Sequence, residues 1–165
     1  MVTQSKPTAA KIRSAMRKLA RFDYPENILD LDLDGVYSNK LGGLSSCVGG
    51  FYRLTAPGPY TMVDHRGFGE PRMAYHAVDT PVSPGLGMKA FAKDLGFRGY
   101  SPVALMLSWA EENPDLWGNE YGGEMLLRDR AYPFLDEQPL TLGNLIQHWL
   151  GVADRLAARE DRDKC

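Results

Sequence analysis

Cysteine, histidine, long apolar runs and net charge are all scarce in this 165-residue chain. Two cysteines, Cys47 and Cys165, cannot staple a small fold, so a disulfide framework is excluded. With the three scattered histidines, His65, His76 and His148, they match no zinc-ligand spacing, and no structural metal is expected. The longest apolar run, residues 103–107, falls far short of the roughly 20 residues a membrane-spanning helix needs. No membrane is expected as a partner. Without a secretory segment the expected compartment is the reducing cytoplasm, although the basic, acid-free residues 1–22 also have some likeness to a transit peptide. The 19 Lys plus Arg nearly cancel the 21 Asp plus Glu, so no global field selects nucleic acid or an acidic substrate.

What is present is enough apolar material, 44% of residues, for the core of one domain. Four helix starts stand out. Thr8 can cap a helix with Ile12, Ala15, Met16, Leu19 and Phe22 on one stripe, ended by Pro25. Ser83-Pro84 opens a second that stops at Gly96, and Ser101-Pro102 opens a third that stops before Asn113-Pro114. Thr141 caps the strongest, with Leu142, Leu145, Ile146, Trp149, Val152, Ala153 and Leu156 in register; its mixed-charge tail from Arg159 is expected to fray.

Between these lies a different texture. Leu29, Leu31 and Leu33 alternate with Asp30, Asp32 and Asp34, the period of a half-buried strand over residues 28–34 that closes in an Asp34-Gly35 turn. From Gly35 to Gly87 there are ten glycines and five prolines, with short segments at residues 47–54, 60–66 and 72–78. The pattern predicts one compact α+β domain over residues 1–165. It is mainly helical, with a small antiparallel sheet or hairpin from residues 28–80 and mobile ends at 1–7 and 159–165.

The sharpest chemical string runs from Leu31 to Val36 through Asp32 and Asp34. It resembles the first motif of haloacid-dehalogenase-type phosphatases, which implies Asp32 as phosphoryl-accepting nucleophile, Asp34 as general acid/base and magnesium as cofactor. Two features depart from that pattern: Asp30 interrupts the strand, and residues 125–127 lead to Arg128-Asp129-Arg130 rather than to paired acids. The simpler expectation is a solvated strand face with no catalytic residue and no cofactor. The same aspartates imitate a calcium loop, but its twelfth position is Leu41 instead of a bidentate Glu. Cys47 with His65 or His76 and Asp64 or Asp79 supplies thiol, base and acid types, yet no hydrolase signature surrounds them, and a small buried thiol is the expected role.

Charge distribution is more informative than its total. Six cations and no acid occupy residues 1–22, followed at once by Asp23, Glu26, Asp30, Asp32 and Asp34 with no cation among them. Either the two segments neutralise one another, or Lys11, Arg13, Arg17 and Lys18 meet a partner, with nucleic acid one option. Trp117 and Tyr121, among glycines and acids, suit a second protein-binding patch.

A further likeness rests on Asp32-Leu33-Asp34-Gly35, on the run Cys47 to Arg53 (Cys-Val-Gly-Gly-Phe-Tyr-Arg), and on Phe134-Leu135-Asp136 ahead of Thr141. Here the chain resembles a family of small uncharacterised actinobacterial and phage proteins. The resemblance implies a mostly helical domain and a structural role for Asp34-Gly35; it implies no activity. The expectation drawn is a non-enzymatic protein-binding or regulatory protein, such as a phage or mobile-element accessory protein that inhibits a host machine by occlusion. The magnesium-dependent phosphatase is the alternative.

Overall fold

A computed structural model describes residues 7–30, 33–65, 72–78, 80–96 and 141–164. The fold is α+β: four α-helices and a mixed six-stranded sheet among the described residues.

Helix α1, Ala9–Leu19, starts where the Thr8 side chain accepts from the Lys11 amide, and it buries Ala9, Ile12, Ala15, Met16 and Leu19. It tightens into a 3-10 turn, Ala20–Phe22. Short strands follow: β1 Ile28–Leu29, β2 Tyr37–Ser38 and β3 Leu44–Ser46. Then come helix α2 Val48–Leu54, strands β4 Tyr60–His65, β5 Arg72–Ala77 and β6 Thr80–Pro81, and helix α3 Pro84–Leu95. Helix α4, Leu142–Asp163, opens on Thr141, which accepts from the Asn144 amide, and all seven members of its apolar stripe are buried.

Helices carry the core. Ile12, Met16 and Leu19 of α1 pack with Phe51 and Tyr52 of α2, Phe91 and Leu95 of α3, and Leu145, Trp149 and Val152 of α4 in one cluster, which the sheet joins through Leu29 and Leu44. The sheet runs β1-β3-β2-β5-β4, with β6 added on β5. Its pairs are antiparallel except β1 with β3, where Ile28 lies opposite Ser45.

Two local expectations change. Among the described residues the alternation over residues 28–34 yields a strand of two residues, paired with a β3 that ends at Ser46 before α2 begins, and the Asp30 amide donates to the Ser46 carbonyl at 2.9 Å. The tail from Arg159 does not fray at once; α4 continues to Asp163, and Glu160 Oε1 accepts from the Ala9 amide at 3.1 Å. That amide is one of the unpaired donors at the start of α1, and a carboxylate there also suits the positive end of the helix dipole. The helix predicted from Ser101 lies outside the described residues.

Candidate functional site

Helices α2 and α3 meet backbone to backbone. A Cβ added to Gly87 would stand 1.6 Å from the Gly49 carbonyl oxygen, and one added to Gly49 would stand 2.4 Å from that of Pro84. Only glycine at both positions permits this crossing. One turn further along, the Tyr52 ring lies 4.7 Å from that of Phe91, and its hydroxyl donates to Asp94 Oδ2. Lys18 of α1 reaches the same oxygen at 2.9 Å and sits 5.9 Å from the centre of the Tyr52 ring.

The electrostatics of this node follow from its burial. Desolvation pushes the Tyr52 phenol far above its usual value, and the hydrogen bond and charge of Asp94 add to the rise. Burial also pushes the Asp94 carboxyl up. The hydrogen bonds from Tyr52 and Lys18, with the charges of Lys18 and Lys93, outweigh that and hold it below the usual carboxylate range. A phenol so reluctant to ionise is a poor base or nucleophile. The node therefore fixes protons in place and ties three helices together.

The outer side of α1 is open. Arg13 pairs with Asp154 of α4 at 2.9 Å, both side chains being well exposed. Arg17 and Arg21 are exposed and make no ion pair or hydrogen bond among the described residues; Lys11 is exposed beside them. Between α1 and α4 a cleft of about 270 Å³ is lined by Arg13, Met16, Arg17, Ala20, Ile146 and Leu150. Its floor is apolar, and its cations come from α1.

The other sequence candidates fall as follows. Asp34 accepts from the Tyr37 hydroxyl at 2.6 Å and lies in the bend that follows β1, while Asp32 is outside the described residues. Among the described residues strand β1 stands at the sheet edge, paired only with β3. Leu41, the twelfth position of the imitated calcium loop, is 72% exposed. No three His, Cys, Asp or Glu side chains gather to hold a metal among the described residues. Cys47 is buried at the start of α2. Trp117 and Tyr121 lie outside the described residues. Of the four cations singled out on the first helix, Arg13 and Lys18 are neutralised by Asp154 and Asp94, on α4 and α3, rather than by the acidic segment next in sequence.

Sequence reasoning placed Gly49 and Tyr52 in the run Cys47 to Arg53 without giving either a role, and assigned no site role to Asp94 or Gly87. Only the glycines left a signal, since a glycine inside a helical stretch marks a close approach. Neither family models, nor curated proteins, nor solved structures give a match to this chain.

Proposed function

We propose that this is a non-enzymatic binding protein that docks an acidic protein partner on the outward face of α1. One observation carries the reading. Residues 9–22 hold Lys11, Arg13, Arg17, Lys18 and Arg21 with no acid, and the fold leaves Arg17 and Arg21 unpaired among the described residues, next to an apolar cleft. Cations in the last turn of a helix also suit its dipole, which gives Arg17 and Lys18 a structural use. The dipole, which Arg21 in the following 3-10 turn also suits, calls for no open apolar floor beside these cations, whereas protein recognition uses one. Occlusion of a larger machine, the mode of action of a phage or mobile-element inhibitor, needs such a surface and no catalytic set.

The phosphatase alternative has less support. Its nucleophile belongs at the end of a central parallel strand, and among the described residues β1 is a two-residue strand at the sheet edge. Nucleic acid competes for the same cations, but a chain with a formal net charge of −2 adds no long-range attraction to phosphate.

Photocrosslinking in the native host from position 14, an exposed serine of α1 beside Arg13, tests the reading. One protein product is expected with the native chain and with Lys89→Glu, a charge reversal on exposed α3 surface, and not with Arg17→Glu. A nuclease-sensitive product would move the reading to nucleic acid. Turnover of a phosphomonoester that vanishes in Asp32→Asn would replace it with the phosphatase.

A further inference from the structure

The cleft beside α1 has the size and lining of an anchor site. Its volume of about 270 Å³ is below the roughly 300–1,000 Å³ typical of small-molecule pockets, which suits one large side chain better than a whole ligand. Met16 and Ile146 form a buried floor, and Leu150 adds a half-buried wall. Ala20 is exposed at the helix end, where a larger residue would close the mouth.

The charges around it select the occupant. Arg13 and Arg17 both line the cleft, and a planar guanidinium grips a carboxylate with two parallel hydrogen bonds. Arg17 is unpaired among the described residues. Arg13 is held by Asp154, whose side chain is 73% exposed, and a solvent-screened pair of this kind exchanges easily for an incoming carboxylate. A basic or neutral segment would meet repulsion or no grip at this rim. Phosphate would satisfy the rim and leave the apolar floor wet.

We infer that the cleft between α1 and α4 takes one large apolar side chain from an acidic protein segment, with Arg17 and Arg13 holding the carboxylates on either side of it. The inference rests on the docking reading above and names the motif that reading requires. It makes Met16, Ala20, Ile146 and Leu150 the specificity-determining residues, and the arginines the source of affinity and salt dependence.

The test uses the full chain labelled with ¹⁵N and two soluble glutamate-rich peptides, identical except for a central leucine or alanine. The leucine peptide is expected to bind about tenfold more tightly, the effect of burying its extra carbons in a half-open cleft, with shifts at Met16, Ala20, Ile146 and Leu150. Ala20→Phe, which fills the mouth, should erase the tenfold preference and leave weak salt-sensitive binding; Arg17→Glu should remove both. Leu150→Gln repeats the test on the wall should the first variant melt early. Equal binding of the two peptides, lost in Arg17→Glu yet indifferent to Ala20→Phe and Leu150→Gln, overturns the anchor site and leaves the docking reading standing. Leucine-dependent binding that ignores Arg17→Glu, or no binding by either peptide at low salt, overturns both.

Discussion

The Tyr52 hydroxyl donates a hydrogen bond to Asp94 Oδ2, joining α2 to α3 across 42 residues of chain. Lys18 of α1 ends on the same oxygen. The helix that bears the basic face is therefore held, through one carboxylate, to the two helices behind it. A face that is to meet a partner without reorganising needs this kind of support.

Replacing Tyr52 by Phe keeps the ring against Phe91 and removes only the donor to Asp94. The expected loss is about 1.5 kcal/mol, the low end for a bond to a charged group, because the Asp94 side chain is 36% exposed. Urea unfolding of the two proteins measures it. A midpoint unchanged within error would mean that the bond contributes nothing.

The pH dependence has two limbs with opposite signs. Asp94 is held below its usual value of 3.8 in the folded chain, so its contribution is complete above that value and disappears as the pH falls through the lower folded value. Tyr52 is raised above its usual 10.0, so its contribution is complete below pH 10 and is lost at higher pH, where the unfolded chain releases a proton that the native chain keeps. Between pH 10 and 11 the native sequence should lose more stability than Tyr52→Phe. Parallel melting curves across that interval would contradict the assignment.

Two glycine-to-alanine changes should act in opposite directions. At Gly87 a methyl group collides with the Gly49 carbonyl, so α2 and α3 must separate, at a cost of about 2–3 kcal/mol typical of overpacking. At Gly151, inside α4, the added carbon meets only the Arg155 guanidinium at 3.5 Å, an ordinary contact, and helix propensity favours alanine by about 0.5–1 kcal/mol. Thermal melts of both variants test the crossing; stabilisation by Gly87→Ala would rule it out.

These contrasts also mark what a sequence can reveal. The starts of α1, α3 and α4 were legible because each is a local event: Thr8, Ser83 and Thr141 accept from amides three residues on, and Gly96 ends α3 with a φ of 103°. The apolar stripe of α4 was legible because all its members face one core. The extent of β1 was not, since it depends on how soon β3 gives way to α2. The partners of Lys18 and Arg13 were not either. Charge order along the chain pointed to the adjacent acidic segment, while the fold brings in Asp94 and Asp154 from distant helices. The basic face could be read as composition; which of its cations stay unpaired is a property of packing.

The measurement closest to the central claim is the affinity of the glutamate-rich leucine peptide for the native chain and for Arg17→Glu as a function of salt. Arg17 is exposed and has no intramolecular partner among the described residues, so its reversal should leave the protein folded and lower the melting temperature only by the small cost of an acid in the last turn of α1. The account predicts native binding that weakens steeply with ionic strength, and at least about a tenfold loss in Arg17→Glu at low salt, where attraction becomes repulsion. Equal affinities for the two proteins, with the fold intact in both, would contradict it.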